Sequence, residues 1–131
     1  MRVFFGCLIL LLFSSFAQAD TIRRTVPANK TSAVGAHATY GPACTGGAIP
    51  KFRIVKAPKH GTVTFKQVSF KLSEKAGRCA GKNVKGTAII YKPKGGFRGE
   101  DVFNVGFTMD MYVAGSGKIR NVVNRYVIEV K

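Results

Sequence analysis

Acidic side chains are scarce in this chain: six Asp and Glu stand against twenty-one Lys and Arg in 131 residues, a formal charge of +15. A calcium ion takes about 6 to 8 oxygen ligands, and the six acids are scattered, so a calcium cluster is excluded. The one close pair, Glu100-Asp101, occupies neighbouring positions of a strand-like segment, where side chains point to opposite faces. Two carboxylates working on one bond are therefore not expected. Histidine is limited to His37 and His60, neither with an evident nucleophile beside it, and His60 falls in a turn, where a structural hydrogen bond is the simpler role. These shortages leave no catalytic constellation, and the chain reads as a non-enzyme with no cofactor, metal or small-molecule substrate. Tryptophan is absent, so ten Phe and four Tyr must supply the aromatic core. Helical periodicity is missing too: from Asp20 onward no segment has apolar residues at three-and-four spacing, whereas period-two alternation recurs, which predicts an all-β chain.

The longest apolar run stands at the N-terminus. Arg2 gives a positive start, Val3 to Phe16 a short apolar core and Ala17-Gln18-Ala19 a small-residue cleavage site, the pattern of an export signal. The run is shorter than the roughly 20 residues of a membrane-spanning helix, so residues 1–19 are expected to be cleaved rather than kept as an anchor, leaving no transmembrane segment. Cys7 leaves with them, since a lipid-bearing Cys would follow the apolar core. The expected mature chain, 20–131, has 112 residues, and losing Arg2 alone among its charges leaves +14. That is the length of one domain, placed in the periplasm or outside the cell, where thiols oxidise. Cys44 and Cys79 are the remaining cysteines and are expected to form one disulfide. Two free thiols or a metal site are the alternatives, the second short of the four ligands of a zinc site.

Alternation places strands at Thr21 to Val26, Ser32 to Tyr40, Lys51 to Val55, Thr62 to Ser73, Thr87 to Tyr91, Asp101 to Met109 and Ile119 to Val130. Gly41 to Gly47 reads as a loop, Glu74 to Gly86 as an exposed loop tied down by the disulfide, and Ala114 to Lys118 as a turn. Val63 and Phe65 share one phase while Val68, Phe70 and Leu72 share the other, which predicts a bend at Lys66-Gln67. Phe103, Val105, Phe107 and Met109 are expected to face inward, as are Tyr126, Ile128 and Val130. Seven or eight short strands suit a two-sheet sandwich.

Two stretches put Pro and Gly beside alternating apolar residues: Pro58-Lys59-His60-Gly61-Thr62-Val63, and the run from Tyr91 to Phe103. Together they resemble the bacterial Ig-like, or cadherin-like, surface-domain family, whose pattern is Pro-x-His-Gly-x-Val followed by Tyr-x-Pro-x-x-x-Phe-x-Gly-x-Asp-x-Phe. Pro58, His60, Gly61 and Val63 match the first half, and Tyr91, Pro93, Phe97, Gly99, Asp101 and Phe103 the second. The likeness runs from about Pro50 to Val130. It implies an Ig-like antiparallel β-sandwich in a surface or secreted protein, where such units serve in tandem as spacers or adhesive modules. This chain holds one copy and carries an additional segment, Lys66 to Gly86, between the halves. Mechanically, Gly61 and Gly99 are expected to admit turn dihedrals, Pro58 and Pro93 to restrict the approach to those turns, Tyr91, Phe97 and Phe103 to give aromatic area, and Asp101 to accept hydrogen bonds from turn amides.

Other motifs carry little. Gly115-Ser116-Gly117-Lys118 looks like a phosphate loop, but Ile119 stands where Ser or Thr is required and a strand follows. Met109-Asp110-Met111 offers thioethers to copper(I), yet Met109 fits better as core. Asn29-Lys30-Thr31 is a glycosylation sequon only in a eukaryotic secretory route. Charge is the remaining signal, because a surplus of this size attracts anions with a strength that salt screens. Lys51, Arg53, Lys56, Lys59, Lys92, Lys94 and Arg98 form the candidate contact for an anionic envelope polymer (polysaccharide, lipopolysaccharide or extracellular DNA) or an acidic protein. No exposed aromatics interleave with them as on a single-strand nucleic-acid platform. The competing readings are a surface that is only solubilising, and a protein-interaction module, an inhibitor or accessory subunit, acting by edge-strand or loop contacts.

Overall fold

Pro27, Pro50, Pro58 and the glycine pair at 95–96 cut the chain into short runs rich in β-branched and aromatic residues, which suit a pleated, half-buried surface. Seven of these runs are strands: β1 (Thr21–Val26), β2 (Ser32–His37), β3 (Phe52–Lys56), β4 (Gly61–Lys71), β5 (Asn83–Pro93), β6 (Gly99–Asp110) and β7 (Ile119–Val130). The computed structural model describes residues 20–47, 49–110 and 119–131. The export signal with Cys7, the turn expected at 114–118, Met111 and the side chain of Met109 lie outside the described residues. One sheet has the order β1-β7-β6-β3 and the other β2-β5-β4. This is the Ig-like seven-strand sandwich, in which the second, fifth and fourth strands oppose the third, sixth and seventh. Here β1 lies parallel to β7, from Thr21↔Arg125 to Val26↔Val130.

The core follows from the alternation. Phe103, Val105 and Phe107 of β6 and Tyr126, Ile128 and Val130 of β7 are buried as expected, and they meet Val63, Ile89 and Tyr91 of the opposing sheet. Tyr91, Phe103 and Tyr126 stack in series, with ring centroids 5.9 Å and 5.0 Å apart, an aromatic pile that bridges the sheets without tryptophan. Toward the other end of the sandwich the His37 ring lies 4.8 Å from that of Phe107 and 5.5 Å from that of Phe52.

The bend expected at Lys66-Gln67 is not there: pairing of β4 with β5 runs unbroken from Gly61↔Pro93 to Lys71↔Asn83. The phase change has another cause. Val63 and Phe65 pack into the sandwich, while Phe70 and Leu72 belong to a second cluster with Val84 and Cys79, on the opposite side of the same strand by the period of two. Gly86 makes room for it, since a Cβ there would fall 2.8 Å from the Phe70 ring and 2.5 Å from the His37 carbonyl. Glu74 to Gly86 is correspondingly not one exposed loop. It holds a short 3-10 segment, Glu74–Cys79, and the first residues of β5, with Val84 and Gly86 buried. The second strand is also shorter than expected, and Tyr40 forms an isolated bridge to Gly46. Register shifts do occur, between Ala33 and Gly35 and between Ile54 and Lys56, both on edge strands, where bulges concentrate.

Cys44 and Cys79 are bonded, with Cα atoms 5.2 Å apart across a separation of 35 residues. The bridge lies outside the sandwich and fastens the Gly41–Gly47 loop to the 3-10 segment, helped by a hydrogen bond from the Arg78 guanidinium to the Pro42 carbonyl. By the chain-entropy account, C44S/C79S should lower the unfolding free energy by on the order of 3 to 4 kcal/mol in a urea titration, while the far-UV spectrum stays that of a β protein. A loss below about 1 kcal/mol would mean that the small cluster holds the flap without the bridge. A second prediction concerns acid. Burial lowers the His37 pKa from its ordinary 6.5, so below that pH the unfolded chain takes up a proton that the folded one refuses. This contribution to stability therefore falls as pH drops from 6.5 toward the lowered folded value. Thermal melts from about pH 8 to pH 5 should show the decline, and His37→Phe should flatten it.

Candidate functional site

Asp101 enters β6 two residues after Gly99, whose φ of 125° only glycine adopts readily. Its side chain is 2 % exposed, and a buried carboxylate must have its lone pairs taken. Oδ1 accepts the backbone N–H of Lys59 at 3.0 Å and that of Val102 at 3.0 Å. Oδ2 accepts the N–H of His60 at 3.1 Å and the Tyr91 hydroxyl at 2.8 Å. The amide contacts expected for Asp101 are thus present, and the tyrosine is an addition. Burial first, then this hydrogen bond and the carboxylate charge, push the Tyr91 phenol far above its usual range.

Around that carboxylate the two motif halves close on each other. The Lys94 N–H donates to the His60 carbonyl at 2.8 Å, and the Phe97 N–H donates to the Lys94 carbonyl at 3.0 Å. The His60 ring lies flat on Phe97, centroids 4.3 Å apart and 6° from parallel. Gly61 serves differently from the expectation. Its φ is not among the positive values, and what demands glycine is space, because a Cβ would sit 2.6 Å from the Lys92 carbonyl and 2.7 Å from the Tyr91 ring. The β1–β2 turn joins the same end, where Asn29 Oδ1 accepts the Gly96 N–H at 2.8 Å.

This framework presents lysines. Lys59, Lys92 and Lys94, with Gly61, Thr62, Pro93 and Gly95, line a recess of about 310 Å³. Of the seven bases named from the sequence, these three are brought together. Lys56 and Arg98 flank the same two connections, at the end of β3 and after Phe97. Lys51 and Arg53 belong to the β3 edge, and the Arg53 guanidinium lies across Gly106 rather than in the recess. Sequence reading missed Lys30. Lys30 follows Asn29 in the docked turn, where the Lys131 backbone is hydrogen-bonded to Ala28 and Val26, but Lys131 itself lines a separate recess beside Glu129. Nothing local links residue 29 to residue 96, so Lys30 carried no signal.

No acid lines this recess, the buried Asp101 being bonded to the Lys59 backbone. No Asp or Glu occurs between Asp20 and Glu74, and β2, β4 and β5 contain none. Glu100 and Glu129 face each other across β6 and β7 in a different recess of about 340 Å³, beside Arg23, Arg24 and Lys131. His37 and His60 stand apart, His37 opposite Thr87 near the middle of β5 and His60 beside Lys94 just past its end. Among the described residues no three His, Cys, Asp or Glu side chains gather as a metal would require, and no helix is long and apolar enough to cross a membrane.

Comparison with protein-family models, with curated proteins and with solved structures finds no match for this chain.

Asp101→Ala would leave three amides and a phenol without their acceptor and should cost about 3 kcal/mol or more in denaturant unfolding. Tyr91→Phe keeps the backbone bonds and should cost about 1 to 2 kcal/mol. Equal losses from the two substitutions would show that the carboxylate serves only the tyrosine.

Proposed function

We propose that this chain is a non-catalytic, exported Ig-like module whose basic surface holds an anionic polymer of the cell envelope or its surroundings. One observation carries the reading: an end of the sandwich, locked by Asp101, presents Lys59, Lys92 and Lys94 around one recess with no acid in its lining. Like charges brought together by ordered backbone repel one another, and a bound polyanion relieves that repulsion. The disulfide supports an oxidising compartment, and the motif likeness supports membership of the bacterial Ig-like, cadherin-like family. Lysines at loop ends recognise charge density rather than sequence, which fits lipopolysaccharide, an acidic polysaccharide or extracellular DNA.

A second reading has its own support. β3 is an edge strand, and on it Ile54 and Val55 are 43 % and 50 % exposed, large apolar groups of the kind that a strand added by a protein partner would cover.

Binding to heparin and to duplex DNA, used as model polyanions, should weaken steeply between about 50 mM and 500 mM salt, and K59Q/K92Q/K94Q should reduce it. Affinity that is indifferent to salt would overturn the polyanion reading. A stoichiometric protein that survives the high-salt wash and is lost in Val55→Glu would establish the edge-strand one.

A further inference from the structure

We infer that the recess between Lys59, Lys92 and Lys94 is a subsite for a phosphomonoester, the terminal phosphoryl group of a sugar or a lipid, an assignment that rests on the anion-binding role proposed above. The lining contains three lysines, one hydroxyl (Thr62) and no acid. Its occupant must offset more than one positive charge at one place. A carboxylate or a sulfate ester brings a single charge, whereas a phosphomonoester brings about −1.5 to −2 at neutral pH together with three acceptor oxygens. Lysine meets phosphate as a compact point charge with rotatable donors, so three of them can converge on one group without a fixed fork.

The floor of the recess suits close approach. Gly61 cannot carry a side chain, and the space above Gly95 is open, with nothing within 4 Å of a Cβ built there. The rim is ordered before any ligand arrives. The backbone of Lys59 is bonded to Asp101 at 3.0 Å and that of Lys94 to the His60 carbonyl at 2.8 Å, which lowers the ordering cost of binding. The recess beside Glu100 and Glu129 lacks this character, since two carboxylates share its lining with the bases. The apolar groove along Ala33, Ala36, Val68 and Ala88 has a single cation, Arg24.

The test is a titration of the ¹⁵N-labelled oxidised protein with glucose 6-phosphate, glucose 6-sulfate and glucose. Glucose 6-phosphate should give saturable shifts at the amides of Gly61, Thr62, Lys92, Lys94 and Gly95, and the sulfate should bind several-fold more weakly. Affinity for the phosphate should rise with pH through its second ionisation, near about 6. K59Q/K94Q, which keeps both backbone bonds, should weaken binding about tenfold or more, while K75Q/K82Q, with the same loss of charge on the disulfide flap, should not. Vesicles of phosphatidic acid against phosphatidylglycerol distinguish the sources: selective capture by the first assigns a lipid headgroup, and binding of glucose 6-phosphate without capture assigns a sugar ester. Equal affinity for phosphate and sulfate, a flat pH profile, or equal loss in the two variants would overturn the subsite. If salt-sensitive heparin and DNA binding persists in that event, the broader polyanion role stands; if it is lost as well, both fall.

Discussion

A carboxylate survives burial only when donors surround it, and in this protein meeting that demand shapes one whole end of the molecule. Asp101 draws in two successive amides of the β3–β4 connection and the hydroxyl of a tyrosine from the opposing sheet. Hydrogen bonds to a charged acceptor inside a low-dielectric core are among the stronger ones available. One connection and two sheets are therefore tied at a single point. Tyr91 then begins the aromatic pile that continues through Phe103 and Tyr126, so the polar lock and the apolar core share a member. A fault at the carboxylate would reach the packing directly.

Chemistry and stability are separated in this arrangement. The side chains that hold the end together, Asp101, Tyr91 and Phe97 against His60, are turned to one another. The lysines between them in sequence are left exposed. Strand alternation does this sorting without special devices: Tyr91 and Pro93 are buried and Lys92 and Lys94 exposed because neighbours on a strand point opposite ways. The segment Lys66 to Gly86 serves differently. It holds the far halves of β4 and β5, eleven residues each, and builds a small covered cluster on the back of their sheet, sealed by the Cys44–Cys79 disulfide.

Much of this was legible in the amino-acid order, and the remainder fails for identifiable reasons. Inward residues of β6 and β7 could be read because one face of each strand is buried and the other is polar, which leaves a clean period of two. β4 misled for the opposite reason: both of its faces acquire apolar cover, at different ends, and a pattern that changes phase looks the same whether the chain bends or the cover changes side. The disulfide partners could be named by elimination, but the cluster they seal could not, because Val84 and Gly86 sit in a lysine- and glycine-rich stretch that resembles a loop. At the candidate site the roles of Asp101 and Gly99 were readable from turn chemistry. The gathering of Lys59 with Lys92 and Lys94 depends on pairing Gly61 with Pro93, a register that no local signal fixes. Lys30 was invisible because it arrives through a contact between distant segments.

The parallel pairing of β1 with β7 has a temporal side. Thr21 finds its partner at Arg125, across nearly the full length of chain that builds the two sheets, and such a contact pays its loop-closure entropy before returning any stabilisation. The sheet that carries β1 is unfinished until the final strand has emerged and turned back. A polypeptide assembled or threaded from its amino end thus keeps its first segment waiting, an unzipped thread rather than a half-built domain, and commits to its native shape in a single late act.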